Sequence, residues 1–193
     1  MKLYLARHGE SEGNVKRLLY GHTDCSLTES GRADGRALHD KLAPIELARC
    51  YASPLCRAAD TARLALAGRD VPITLLRGLM EQHMGELENT SFEEMRRLHP
   101  ETINAMLEDW SKITPPGGES YRQVQERAMA CVREIVARDE DALIVSHNGA
   151  LSTVMAALLD TGGGSVDKFW FNHGCYSCLE LTHGRVKLVG FNL

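Results

Sequence analysis

Short apolar runs alternate with longer stretches of helical periodicity along nearly the whole chain. The runs "KLYLA" (2–6), "ELARCYAS" (46–53), "ITLL" (73–76) and "ALIVSHN" (142–148) are too short for stable helices and too apolar to show a wet face. They have to lie side by side as strands, with helices covering both faces of the sheet. The stretches between them supply those helices. Thr28 is an N-cap ahead of Ala33, Ala37, Leu38 and Leu42 at helical spacing. Pro54 near a first turn and Gly68 as a stop bracket the next helix. Ser91 and Glu94 form a capping-box pattern, and "PETINAMLEDWSKI" runs on helically to the breaker "TPPGG". In "ESYRQVQERAMACVREIVA", Val124, Ala128, Cys131, Ile135 and Val136 share one face. A helix over "ALSTVMAALLD" follows the fourth run, and the C-terminal stretch predicts a hairpin turning near His183 and Gly184. The expectation is an α/β/α sandwich with a parallel or mixed central sheet, a single domain over 1–193, and a small helical cap inserted at about 90–114.

Composition narrows the setting. A formal net charge of −4 offers no general attraction to nucleic acid or to an anionic membrane. The longest apolar runs fall far short of a bilayer span, and "MKLYLARHGES" lacks the pattern of a secretory leader. The 6 cysteines read as reduced thiols of a cytoplasmic protein. Cys175 and Cys178 form a CxxC, but no second pair exists and "CYSCLEL" alternates like a strand, which favours a structural role over zinc or redox chemistry.

In sheets of this kind, function collects beyond the carboxyl ends of the strands. The first run ends at Arg7 and His8, the second near Ser53 with Arg57 just beyond, and the fourth at His147 and Asn148. The third leads into "RGLMEQHMGE", which contains Glu81. Two arginines imply an anionic substrate, because guanidinium is a fixed cation with a donor fork suited to phosphate oxygens. Two histidines could be metal ligands, but an arginine beside His8 would repel a cation. Phosphoryl transfer through a phosphohistidine fits the set better: His8 attacks phosphorus, Arg7, Arg57 and protonated His147 balance the charge, and Glu81 serves the leaving oxygen and then water. That role needs Glu81 protonated in the first step, a form the adjacent phosphate favours. Plainer readings exist for each residue: a satisfied core histidine for His147, a solvated helix arginine for Arg57, a register error for Glu81 beside Glu86 and Glu88.

Six ordered blocks carry a family resemblance. "RHGESEGN" (7–14), "GHTDCSLTESG" (21–31), "ASPLCRAADTA" (52–62), "LMEQHMGELEN" (79–89), "PPGGESYRQVQERA" (115–128) and "IVSHNGAL" (144–151) resemble the histidine phosphatase superfamily, in its phosphoglycerate mutase-like branch. The resemblance implies that His8 is the phosphorylated nucleophile, Arg7, Arg57 and His147 the phosphate clamp, and Glu81 the proton donor. It further implies phosphate or substrate contacts at Asn14, Gly21, His22, Thr23, Asn148 and Gly149, a mixed, mostly parallel sheet between helices, and no metal or other cofactor. Asp60, Asn89 and Asn148 depart from the family's usual residues. Asn89 and Asn148 stand where glycine is usual, and asparagine is the next residue to tolerate positive φ. His83 is a second loop histidine within reach of substrate, His39, His99 and His183 read as surface residues, and the setting of His173 is open.

The chain lacks the extra segments by which phosphoglycerate mutases hold their substrate for return of the phosphoryl group. The resemblance therefore implies hydrolysis of a small phosphate ester, with character closest to the alpha-ribazole phosphatase branch. Mutase-type transfer is the alternative, and a silent phosphoprotein-binding domain a remote one. No nucleic-acid or membrane partner is expected, and the sequence leaves the oligomeric state open.

Overall fold

A computed structural model describes residues 1–98, 100–162 and 167–193. The surface reading of His99 falls outside these residues. In chain order the elements are β1 (Lys2–Arg7), α1 (Glu12–Val15), β2 (Leu18–Leu19), α2 (Glu29–Leu42), β3 (Arg49–Ala52), α3 (Cys56–Ala65), β4 (Ile73–Leu75), β5 (Thr90–Ser91), α4 (Phe92–Leu98), α5 (Pro100–Glu108), α6 (Tyr121–Val136), β6 (Ala142–Ser146), α7 (Asn148–Leu158), β7 (Tyr176–Thr182) and β8 (Arg185–Gly190).

Six strands form one sheet in the order β4-β3-β6-β1-β7-β8. β4, β3, β6 and β1 pair in parallel, and the terminal hairpin β7–β8 adds antiparallel at the edge. The sheet is thus mixed and mostly parallel. Alternation along β1 sorts its side chains between two cores. Leu3 and Leu5 pack with Val132 and Ile135 of α6 and with Leu151 and Val154 of α7. Tyr4 and Ala6 face the opposite way, onto Leu38 and Leu42 of α2 and Ala58 and Ala62 of α3. The helix after β1 and the helix after β6 therefore cover opposite faces, although the two strands are neighbours. That reversal opens a crevice beyond their carboxyl ends. His8 and His147 sit there.

Local signals hold up in detail. Thr28 Oγ1 accepts from Gly31 N at 3.0 Å, and Ser91 and Glu94 exchange the two bonds of a capping box. The hairpin turns through His183 (φ 50°) and Gly184 (φ 74°), two consecutive left-handed residues as a tight two-residue turn requires. On α6, Val124, Ala128 and Ile135 are buried as expected. Cys131 and Val136 are only half-buried, and Tyr121 and Val132 complete the stripe. All six cysteines are unpaired; Cys178 is buried on β7, and Cys175 precedes the strand with its Sγ 3.2 Å from Lys41 Nζ.

The segment after residue 90 is helical in α4 and α5, but it opens on a two-residue strand, β5, that pairs antiparallel with β2. Its apolar residues Met95, Ile103 and Met106 make a separate small core with Leu19, Met84 and Leu87. No helix among the described residues is long and apolar enough to cross a membrane.

Candidate active site

β1 runs straight into the site. The amide of His8 extends the strand pairing by donating to Ser146 O at 2.9 Å, which seats its ring beside that of His147, with centroids 5.1 Å apart. His8 Nδ1 lies 2.7 Å from Gly9 O. The neutral tautomer that donates this bond carries its lone pair on Nε2. Burial, then the charges of Arg57 and Arg7, hold His8 well below the ordinary histidine range, so the imidazole is neutral and nucleophilic. His147 is depressed in the same direction, by burial first and then by Arg57, His8 and Arg7. Its Nε2 is 2.8 Å from Ser53 Oγ.

Both arginines are buried. Arg57 is fully so, which rules out the reading of a solvated helix residue: it donates to Thr23 O at 3.0 Å and Gly21 O at 2.8 Å, and its guanidinium lies 4.7 Å from the centre of the Tyr20 ring. Arg7 donates to Phe171 O at 3.2 Å and lies 5.1 Å over Trp170. Neither arginine forms an ion pair among the described residues. Arg7 Nε, Arg57 Nε and His147 Nδ1 are buried with no hydrogen-bond partner among those residues. Two buried guanidinium N–H groups without acceptors are costly unless an anion offsets their charge.

Glu81 reaches the same spot from the loop after β4. Its carboxylate accepts from Gly149 N at 3.0 Å and Ala150 N at 3.1 Å, in the first turn of α7, and from Gln82 N at 2.9 Å. A Cβ on Gly149 would stand 2.5 Å from Glu81 Oε1, so glycine is what lets the carboxylate lie on the helix start.

All of these side chains except His147, which packs behind His8, line a cavity of about 370 Å³. Arg7, His8, Arg57, Glu81, Asn14, Asn148 and Gly149 are on its wall, together with the apolar side chains of Leu18, Phe92, Trp110 and Trp170. Asn14 Oδ1 accepts from the Ser11 amide and hydroxyl, tying down the loop after His8. Asn148 does not occupy a glycine-like backbone. It is the first residue of α7, and its side chain accepts from Phe171 N at 2.9 Å. The reason expected for asparagine there holds only at Asn89, where φ is 61°.

Gly21, His22 and Thr23 sit behind Arg57 and not on the cavity wall. The carbonyls of Gly21 and Thr23 orient the guanidinium, while all three amides and Thr23 Oγ1 converge on the carboxylate of Glu88 at 2.6–3.2 Å. Gly21 must be glycine, since a Cβ would come within 1.7 Å of Gln82 O. His22 packs against His83 with tilted rings and centroids 4.7 Å apart, and neither lines the cavity. His173 lies beside the nucleophile, with Nδ1 2.5 Å from His8 O. His39 is half-buried with Nδ1 at 3.1 Å from Ala65 O, and His183 is exposed.

Glu88 is the organising residue that motif reading passes over. Burial alone would raise its pKa, but the bonds from Thr23 Oγ1 and from the amides of Gly21, His22 and Met84 outweigh that and bring it to about 2. Its folded pKa is below the unfolded value near 4.5, so its contribution to stability is full above that value and is lost as pH falls toward about 2. Glu88→Gln is expected to lower the urea midpoint at pH 7, and the gap from wild type should close between about pH 4.5 and pH 2. A gap that stays constant across that window would contradict this role.

The sequence and the fold are similar to those of known proteins. A family model for the histidine phosphatase superfamily (branch 1) matches residues 3–193. The chain is 35% identical over 194 residues to the adenosylcobalamin/alpha-ribazole phosphatase of Salmonella typhimurium, covering 100% of this chain and 96% of that one. It is 32% identical over 164 residues to a 2,3-bisphosphoglycerate-dependent phosphoglycerate mutase of Gloeobacter violaceus, covering 82% and 74%. The crystal structure of the alpha-ribazole phosphatase from Shigella flexneri matches with a TM-score of 0.93 at 30% identity, over 100% of this chain and 96% of that one. The neutral buried histidine at the end of β1 and the match across the chain lead to one assignment: this protein belongs to the histidine phosphatase superfamily.

Proposed function

We propose that the protein hydrolyses a small phosphomonoester by way of a phosphohistidine on His8, with the nucleotide-like ester alpha-ribazole 5′-phosphate as its substrate. The observation that carries the chemistry is the neutral His8 ring on a cavity wall that it shares with Arg7 and Arg57, two buried cations with no ion-pair partner among the described residues. A phosphate dianion placed there receives bonds from Arg7, Arg57 and His147 on its equatorial oxygens. His8 Nε2 attacks phosphorus in line and the bond to the ester oxygen breaks. Glu81 gives that oxygen its proton. The Glu81 carboxylate then takes a proton from water as the water attacks phosphorus, the N–P bond breaks, and phosphate leaves with His8 neutral again. The incoming dianion favours protonation of His147, whose charge then helps balance the transferring group.

The substrate follows from the cavity's lining. Among the described residues the only cations on the cavity wall are Arg7 and Arg57, while Asp109 and Asp167 also line it. A second phosphate or a carboxylate, as in the phosphoglycerates, would find no counter-charge there. A flat uncharged ring would find Trp110, Trp170 and Phe92. The relatives named alpha-ribazole phosphatase support the same choice. Unpaired cysteines suit a reducing compartment, so we place the enzyme in the cytoplasm. With a net charge of −4, we expect it to act without a nucleic-acid or membrane partner.

Phosphate release should be measured against alpha-ribazole 5′-phosphate, ribose 5-phosphate and the phosphoglycerates. The expected kcat/KM for the first exceeds the others by at least about tenfold, the worth of one buried ring contact. Equal values would mark a generalist, and interconversion of the two phosphoglycerates without phosphate release would mark a mutase.

A further inference from the structure

The loop that carries Glu81 makes one 3₁₀ turn at Arg77–Leu79 and receives a backbone bond from Glu119 N at His83 O. A side chain from α6 holds three further carbonyls around Glu81. Arg127 donates through one terminal nitrogen to Gly78 O at 2.8 Å and Met80 O at 2.7 Å, and through the other to Glu81 O at 2.7 Å. Its remaining donors go to Glu119, Nε to Oε1 at 2.8 Å and the second terminal nitrogen to Oε2 at 2.9 Å. Glu119 in turn accepts from His83 N at 2.9 Å, and its own carbonyl accepts Gln82 Nε2 at 2.7 Å. The backbone on both sides of Glu81 is thus gripped by one ion pair. Burial works against the charge on Glu119, but the Arg127 bonds and the His83 amide prevail and hold it below the usual carboxylate range.

We infer that Arg127, backed by Glu119, is a positioning residue for proton donation: it sets where the Glu81 carboxyl lies relative to the ester oxygen. Neither the Arg127 nor the Glu119 side chain lines the cavity, so they act through the loop and not on substrate. The planar fork matters here, because the donors must reach three carbonyls and a carboxylate in fixed directions, and a lysine ammonium cannot do so. A proton donor displaced by about 1 Å loses much of its effect even when the fold persists.

This inference rests on Glu81 being the proton donor, and the test separates the two. kcat/KM reports only steps up to departure of the leaving group, so phosphohistidine hydrolysis does not mask the result. It should be measured for a series from p-nitrophenyl phosphate, whose leaving group needs little protonation, to an alkyl phosphate, whose leaving group needs it most. The proteins are wild type, Arg127→Lys, Arg127→Gln and Glu81→Gln. Both Arg127 variants are expected to lose less than about 3-fold on p-nitrophenyl phosphate and about 30- to 100-fold on the alkyl ester, paralleling Glu81→Gln on a smaller scale. A loss equal across the series in the Arg127 variants, with Glu81→Gln still selective, would show a merely structural role and overturn the inference alone. No selectivity in Glu81→Gln would overturn the proton-donor reading and the inference with it. If Arg127→Gln fails to fold, Arg127→Lys, which keeps the charge and loses the fork, decides the matter.

Discussion

His8→Ala is expected to lower phosphate release by at least about 10⁴-fold, on the order of nucleophile removal in other covalent enzymes. The expectation follows from the state of the ring and not only from its position. Burial and two guanidinium groups keep it neutral, the bond to Gly9 O assigns the proton to Nδ1, and Nε2 is left with the free lone pair. Arg7, Arg57, His147 and Glu81 all survive in the variant, but they bind and polarise an ester that nothing attacks except water. The fold is expected to persist, because the His8 side chain makes one hydrogen bond to the adjacent residue and otherwise contacts rings of the site. Rapid quench in alkali with radiolabelled substrate should capture label on the wild-type chain and none on the variant. Unimpaired turnover by His8→Ala, with a normal unfolding midpoint, would remove the phosphohistidine from the mechanism.

The reach of sequence reasoning here has a physical pattern. Residues at strand exits were readable, because a short apolar run fixes where a strand ends and the sheet rule says which end matters. Arg7, His8, Ser53 and His147 follow from that alone. The capping boxes and the β7–β8 turn were readable for the same reason: their partners are two or three residues apart. What could not be read are contacts between residues far apart in the chain. Arg127 grips carbonyls 46–49 residues away, and Glu88 gathers amides 65–67 residues before it. Both stand inside the quoted motif blocks, but a block does not say which of its members face the ligand and which hold those that do. Gly21, His22 and Thr23 belong to the second kind. The two-residue pairing of β2 with β5 is shorter than any period a pattern can reveal, and Asn148, a helix start with a side-chain acceptor, looks in sequence like a glycine position.

Arg57→Met is expected to reduce kcat/KM by about 10³-fold and to abolish stabilisation of the protein by phosphate. Arg57 is a fully buried cation that donates to two carbonyls, lies over the face of Tyr20 and forms no ion pair among the described residues. An isolated buried charge is among the most expensive features a core can hold. The phosphate of the substrate is its counter-ion, so the empty enzyme sits at a raised free energy that anion binding relieves. Inorganic phosphate at about 100 times its Kd should stabilise the wild type by about 2.7 kcal/mol, which raises Tm by about 5–10 °C in a chain of this length. The methionine variant keeps the apolar stem but has no cation to relieve. Two effects then oppose each other without phosphate: Gly21 O and Thr23 O lose a donor, at about 1–3 kcal/mol each, while the desolvation cost of the guanidinium disappears. The unliganded Tm of the variant should therefore fall by less than the lost hydrogen bonds alone require, and phosphate should no longer raise it. Thermal unfolding of both proteins across a phosphate titration gives the answer. A Tm that still climbs with phosphate in Arg57→Met would mean that Arg7 and His147 suffice to hold the anion, and that Arg57 serves mainly to dock the loop of Gly21 to Thr23.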